Sequence, residues 1–377
     1  MDLDHIARSD TECIHDPGQA WNALTVGAST ERSTFGWAPV ASCGDLSPYS
    51  STSLVFEPQW PIKPDVVFEG GNKLHDGQTA CQHPAVSLVT TSYKPLERLL
   101  VPTWATSAAT AQVARFAGAL YGEYPKLWPE TVRALVVQSA EWTPRMQERA
   151  SGANKRELAQ RLLRRFGFGV PNLERARRSA SNALTLIVQD QLRPFQHGKF
   201  RELKVHDLPW PVEELEQLRE TQVRMRVTLS YFVEPNPARR AWRSRYRYAS
   251  HGLRFDVAMP TESLDDFKKR LNRMALDEEE RRPARGSESG TWMLGSRVRD
   301  RGSLHADIWE GSAVDLARRG IIGVMPVSGW WKDDIKRDRS EMGARYALVV
   351  SIEAPSVEVD LYAAVATQIG VDVVVAT

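Results

Sequence analysis

The apolar period of this 377-residue chain changes near Ala180, and that change limits the folds open to it. After about Ser181, Val223, Met225, Val227, Leu229 and Tyr231 alternate with Arg224, Arg226, Thr228 and Ser230, as a strand with one buried and one wet face does. Leu253, Phe255 and Val257 repeat the pattern, as do Leu348, Val350 and Ile352, and then Val357, Val359, Leu361 and Ala363. Runs of this kind divided by Pro and Gly turns predict a mostly β, sandwich-like domain over residues 181–377. The charged stretch Asp277 to Ser289 reads as a loop inside it.

Residues 1–180 carry a different pattern. From Trp21 to about Ala140 the order is α/β, with short apolar strands at Ala23 to Gly27 and around Pro64 to Phe68, followed by two helices. The first helix starts near Thr106. Its Ala108, Ala109, Ala111, Ala114, Ala117 and Ala119, with Val113, Phe116 and Leu120, are small and apolar nearly all round, which suits a helix buried against a sheet. The second follows Pro129, a residue suited to a first helical turn, and repeats Val132, Leu135, Val136 and Ser139 at helical spacing. Asn154 to Phe166 is a basic amphipathic segment read as a solvated surface helix, and Gly167-Phe168-Gly169 forces a turn after it.

Composition removes several classes of function. The 49 basic and 47 acidic residues leave a formal charge of +2, so no global field draws the chain to nucleic acid or an anionic membrane. Cys13, Cys43 and Cys81 cannot all pair within one chain and show no CxxC spacing, which argues against a disulfide framework or a zinc cluster. Asp2, Asp4, His5, Arg8, Asp10 and Glu12 occupy the region where a signal peptide would need an apolar run. These features predict a cytoplasmic chain with no membrane contact, no cofactor and no metal site.

One segment carries chemistry. In Ala105-Thr106-Ser107-Ala108-Ala109-Thr110-Ala111 a serine stands where a loop turns into an apolar helix. A hydroxyl there projects from a rigid element, and the free N–H groups and positive end of the helix dipole can stabilise an oxyanion formed by attack on a carbonyl. Serine is also a favoured helix cap, so the segment alone leaves a structural role open.

Its neighbours add a resemblance. Thr106-Ser107-Ala108-Ala109-Thr110 resembles the Gly-Thr-Ser-Met-Ala-Thr-Pro-His motif around the nucleophile of subtilisin-like serine peptidases, the subtilase family. Asn22 to Ala28 resembles the strand after that family's oxyanion-hole region, Ser47-Pro48-Tyr49-Ser50-Ser51 its Ser-Phe-Ser-Ser turn, and Lys63-Pro64-Asp65-Val66-Val67-Phe68-Glu69-Gly70-Gly71 its Lys-Pro-Asp-Val-x-Ala-Pro-Gly segment. Tyr124 to Pro129 is similar to the family's link between the nucleophile helix and the next helix, and Gly167-Phe168-Gly169-Val170-Pro171 to its Gly-Tyr-Gly-x-Pro closure. The resemblance implies the C-terminal portion of a subtilisin-like parallel-sheet domain over residues 1–180, with Ser107 as nucleophile of a serine endopeptidase and a protein or peptide as substrate. It also resembles intracellular bacterial subtilases encoded beside an ATPase, which names an ATPase or a separately encoded N-terminal half as candidate partners.

The departures matter as much. Ala105 stands where the family has glycine, a substitution expected to require a negative φ, and Ala111 where it has proline. Glu69 replaces a small residue and predicts a more acidic substrate-facing loop. The family's Asp-Ser/Thr-Gly strand, His-Gly-Thr helix and oxyanion asparagine have no counterpart before Ser107. His5, His15, His75 and His83 lie in unmatched contexts, and His206-Asp207 falls in the β region. The chain is therefore expected to be nearly inactive alone, a fragment of a longer enzyme. Two rival readings remain: a noncatalytic binding module on a subtilase scaffold, with Trp330-Trp331 as a contact surface although buried core packing accounts for most tryptophans of this region, and a nucleic-acid contact through Arg239, Arg240, Arg243, Arg245 and Arg247. Alternate arginines also describe the wet face of a strand, which favours no nucleic-acid contact.

Overall fold

Two parallel strands and a helix packed on them form the centre of the α/β region. The computed structural model describes residues 4–34, 36–57, 60–149, 154–181, 185–208, 210–237, 248–279, 291–334 and 342–353. The chain divides into two units, residues 1–125 with 139–175 and residues 126–138 with 176–377.

The first unit runs through helix α1 (His5–Thr11), strands β1 (Val26–Thr30), β2 (Ala38–Pro39), β3 (Asp45–Leu46), β4 (Val66–Glu69), β5 (Lys73–His75), β6 (Ala80–Gln82), β7 (Leu88–Thr91) and β8 (Leu100–Thr103), and helix α2 (Ala105–Glu123). Helix α3 (Pro129–Gln138) belongs to the second unit; the first resumes with α4 (Pro144–Glu148), α5 (Lys155–Phe166) and the start of α6 (Leu173–Ser181). Strand β1 lies between β3 and β4, parallel to β4 with Val26 opposite Val66 and Ser29 opposite Glu69. A buried ion pair fixes the entry to β4. Lys63 Nζ reaches Asp65 Oδ2 at 2.8 Å and Ala23 O at 2.8 Å, while the same Asp65 oxygen accepts Thr25 N–H at 2.7 Å. The Lys-Pro-Asp segment thus joins the chain before β1 to the chain before β4.

Helix α2 packs on β1 and β4 through Ala108, Ala109, Val113, Phe116 and Leu120. Burying side chains of the size of Phe116 and Leu120 contributes about 1.5–3 kcal/mol each. The opposite face, including Ala111 and Ala114, is exposed, so the alanine-rich helix is buried on one side and not all round. The small residues there mark a thin helix surface open to solvent.

The 167–170 turn closes the unit. Phe168 N–H donates to Asp65 O at 2.8 Å, Val67 N–H to Gly169 O at 3.0 Å, and Val170 N–H to Glu141 O at 2.8 Å. A Cβ on Gly169 would lie 2.2 Å from the Glu141 carbonyl carbon, at φ +100, so only glycine fits. The basic segment is a helix, capped by Asn154 accepting from Glu157 N–H at 2.9 Å, and three of its arginines are engaged within the unit. Arg165 binds Asp10 through two bonds of 2.8 and 2.6 Å, Arg161 meets Glu157 at 3.0 Å, and Arg164 is buried against Ser53 O.

The second unit holds β9 (Thr185–Leu192), β10 (Phe195–Gln196), β11 (Lys199–Phe200), β12 (Lys204–Asp207), α7 (Val212–Gln217), β13 (Gln222–Tyr231), β14 (Gly252–Val257), α8 (Leu264–Glu279), α9 (Ser296–Arg299), β15 (Leu304–Ser312), α10 (Ala313–Ala317), β16 (Ile321–Val327), α11 (Trp330–Asp333) and β17 (Ala344–Glu353). Two antiparallel sheets, ordered β15-β13-β17-β9 and β12-β16-β14, carry it. The period-two runs at 223–231, 253–257 and 348–352 are strands; 357–363 lies outside the described residues, as does 239–247.

The expected wet face of β13 is only partly wet. Helix α3 lies against β13 and β17, so Thr228 and Ser230 are buried beneath it. Arg133 Nε donates to Ser230 Oγ at 3.0 Å, Thr228 Oγ1 to Gln138 Oε1 at 2.5 Å, and Gln138 Nε2 to Ser351 Oγ at 2.8 Å. Polar residues on the strand therefore meet polar residues on a helix that the sequence pattern assigns to the preceding domain. Helix α8 covers the other sheet through Phe267, Leu271 and Met274 against Met325. It runs to Glu279, so Asp277 to Glu279 are helical and not loop, and the rest of the charged stretch, 280–289, lies outside the described residues.

Candidate active site

Ser107 is exposed in the first turn of α2, and everything that places it lies within the first unit. The preceding strand β8 ends at Thr103, and Ala105 N–H then donates to Gly70 O at 2.8 Å, which ties the helix start to the loop after β4. Gly70 allows this approach because a Cβ there would sit 2.4 Å from Ala28 Cβ of β1. From the helix side, Gln112 Nε2 donates to Glu69 O at 2.7 Å and to Ala108 O at 3.1 Å. The serine is thus held by a double attachment to one loop, and nothing in the sequence except helical spacing marks Gln112 for that task.

The loop has its own support. Ser47 Oγ donates to Gly71 O at 2.7 Å, and Ser50 Oγ accepts from Ala28 N–H at 3.1 Å. Asn72 is buried, with Oδ1 accepting Ala41 N–H at 3.1 Å and Lys73 N–H at 2.8 Å while Nδ2 donates to Arg32 O and Ala41 O. Glu69 does not acidify an open surface, contrary to expectation. Its carboxylate folds back to accept Gly71 N–H and Glu31 N–H, each at 2.7 Å, with Arg32 Nε 4.0 Å away. The charge serves as a clasp between β1 and the loop.

Ala105 adopts φ +71, the left-handed region, and so departs from the negative φ that its side chain favours. A non-glycine residue there costs about 1–2 kcal/mol. Glycine adopts this region without steric cost, and the alanine Cβ is the source of the strain. Ala111 is exposed, so the absence of a proline there leaves no packing defect.

Chemically, the arrangement offers an exposed hydroxyl at a helix start, with no base bonded to it among the described residues. Among the described residues the Ser107 hydroxyl has no hydrogen-bond partner, and neither do the Thr106 and Ser107 N–H groups at the positive end of α2. Such N–H groups can receive an oxyanion. Among the described residues no histidine hydrogen-bonds to Ser107. His5 is buried and donates through Nε2 to Leu46 O at 2.9 Å, with burial as the largest cause of a lowered pKa. His75 and His83 accept Gly77 N–H and Ala85 N–H, each at 3.1 Å, in local turns. In the second unit His206 bonds Tyr346 OH at 2.7 Å. No group of three His, Cys, Asp or Glu side chains among the described residues is arranged to hold a metal ion.

The tryptophan pair serves packing. Trp330 and Trp331 are buried with Phe195, and their indole N–H groups donate to Glu234 O at 2.9 Å and Glu234 Oε2 at 3.0 Å. They are not an exposed contact surface. No helix among the described residues is long and apolar enough to cross a membrane.

Comparison with known proteins bears on the same segment. Residues 5–169 match the model of the Subtilase family. A protein of Sinorhizobium fredii (strain NBRC 101917 / NGR234), described as "Uncharacterized protein y4bN", is 28% identical over 272 residues, which cover 68% of this chain and 58% of that protein. Among solved structures, the crystal structure of a serine protease of Aeromonas sobria aligns with 87% of this chain and 57% of that chain, at 12% identity and a TM-score of 0.27. The chain therefore spans less than two thirds of the length of either protein.

Proposed function

Residues 5–169 carry part of a subtilase-like domain, and from that premise we propose that the chain supplies the nucleophile of a serine endopeptidase, with Ser107 forming the acyl-enzyme. The supporting observation is the exposed, unbonded Ser107 hydroxyl at the start of α2, anchored through Ala105 and Gln112 to the loop after β4. In the reaction Ser107 Oγ attacks a peptide carbonyl and its proton passes to a histidine. The tetrahedral oxyanion is received by the Ser107 N–H; collapse breaks the C–N bond, and the amine leaves with the histidine's proton. Water then repeats the sequence on the ester and frees Ser107.

The histidine, its orienting aspartate and the second oxyanion donor come from a subtilase N-terminal half, joined to this chain or supplied separately. Without that base an exposed serine is a poor nucleophile, and loss of a triad member removes most of the acceleration. This chain alone is accordingly nearly inactive. Its unpaired Cys13, Cys43 and Cys81, two of them exposed, fit a reducing compartment.

The test is to express the chain with a polypeptide bearing the Asp-Ser/Thr-Gly and His-Gly-Thr segments and to follow cleavage of a quenched fluorescent peptide. Cleavage that depends on both polypeptides and is abolished by Ser107→Ala is the expected result. Cleavage that survives Ser107→Ala would refute the assignment.

A further inference from the structure

Strands β7 and β8 form a two-stranded ribbon, an element that is marginal in water unless something pairs with or covers it. Leu88 stands opposite Thr103 and Thr91 opposite Leu100. Just beyond, Ser92 N–H donates to Leu99 O at 2.9 Å, which makes that pair a hydrogen-bonded one. Hydrogen-bonded and non-hydrogen-bonded pairs alternate in an antiparallel ladder, so Thr90–Val101 bonds inward while Val89–Pro102 and Thr91–Leu100 turn their backbone groups outward.

The two outer edges are therefore unlike. On β8 the outward position is Pro102, which has no N–H and whose ring obstructs an added strand. On β7 the outward groups are the N–H and C=O of Val89 and Thr91. Both residues are exposed, and among the described residues none of these groups has a hydrogen-bond partner. The ribbon also exposes Val89 at 67%, Tyr93 at 88%, Leu99 at 72% and Leu100 at 60%, a concentration of apolar surface that marks interaction sites.

We propose that the outer edge of β7 pairs with β7 of a second copy of this chain, antiparallel about a two-fold axis at Thr90. The edge is complementary to itself. With Val89 opposite Thr91 of the second copy, each outward N–H meets an outward C=O, and the two-fold axis repeats the exchange so that no outward group of Val89 or Thr91 is left over. Pro102 closes the other edge, so pairing stops at two chains and does not propagate. The same register sets Tyr93 opposite Ser87 of the second copy, and each ribbon's apolar tip runs along the root of the other. The pairing is independent of any chemistry at Ser107.

Sedimentation velocity of the full chain over a micromolar concentration range tests the dimer, with Val89→Pro as the edge-blocking variant. That substitution removes an outward N–H at a position whose cross-strand neighbour is already proline, and it is expected to weaken association by about tenfold or more, the factor that 1.4 kcal/mol represents. Far-UV circular dichroism of the variant checks folding. A second variant decides the register: Thr90→Cys, with Cys13, Cys43 and Cys81 changed to Ser, faces its own copy across a non-hydrogen-bonded pair with Cα atoms about 4.5 Å apart, within disulfide range. Mild oxidation is expected to yield a covalent dimer at that position and not with Ser92→Cys. A chain that stays monomeric throughout, a folded Val89→Pro variant that dimerises as before, or a dimer that Thr90→Cys does not cross-link would each overturn the proposal.

Discussion

Replacing Lys63 by Met isolates the interaction that joins the Lys-Pro-Asp segment to β1. Lys63 is 1% exposed and Asp65 5%, and Nζ makes bonds of 2.8 Å to the carboxylate and to Ala23 O. Methionine fills most of the volume, so little cavity forms. What remains is a buried carboxylate that keeps Thr25 N–H as its side-chain contact from β1's approach. Removing one partner of a buried ion pair costs about 3–5 kcal/mol, because the other charge is left without compensation. The double variant Lys63→Met/Asp65→Asn removes that charge while leaving an acceptor for Thr25, and is expected to recover a large part of the loss. Urea unfolding followed by exchange protection of the β1 and β4 amides reports on the first unit by itself. A loss below about 1 kcal/mol for Lys63→Met would equal the range of an exposed pair and would refute the assigned burial and role.

Further outcomes follow from the same contacts. Ala105→Gly releases the left-handed strain at φ +71 and is expected to raise stability by up to about 1 kcal/mol, whereas Ala105→Val lowers it, both read by urea midpoint. Burial lowers the pKa of His251 to about 3 and that of His305 well below its usual value. Their unfolded forms gain protons first as pH falls, so stability is complete above about pH 6.5 and declines below it by about 1.4 kcal/mol per pH unit per histidine. His305→Gln should flatten that slope; an unchanged slope would contradict its burial in the neutral form. Cys43 Sγ donates to Glu31 Oε2 at 2.9 Å, and this bond is the first cause of its raised pKa. Glu31→Gln is expected to speed alkylation of Cys43, measured by peptide mass at a pH near 8.

Much of the α/β region was legible because its signals are local. Lys63-Pro64-Asp65 and Gly167-Phe168-Gly169 announce themselves through residues that only one backbone arrangement accommodates, and the structure bonds each to the strand it serves. The start of α2 was legible for the same reason. The roles of Glu69 and Gln112 were not, since the carboxylate's bond to Glu31 N–H and the amide's bond to a strand-end carbonyl each use a contact across about 40 residues of chain. Alternation showed β13 as a strand but could not show that Thr228 and Ser230 face a helix. A polar residue reads as solvent-facing until its polar partner, here Arg133 or Gln138, is brought to it by tertiary structure. The tryptophan pair left two readings open for the converse reason: aromatic side chains suit interfaces and cores alike, and the buried bonds to Glu234 agree with the core packing that sequence favoured.

The nucleophile assignment meets its most direct test in the mass of the Ser107 peptide after treatment with a fluorophosphonate, in the presence of the histidine-bearing half. A single phosphonyl adduct on Ser107, formed much more slowly by the chain alone, is the predicted result. An unmodified Ser107 in the assembled enzyme, or an adduct on another serine, would contradict it.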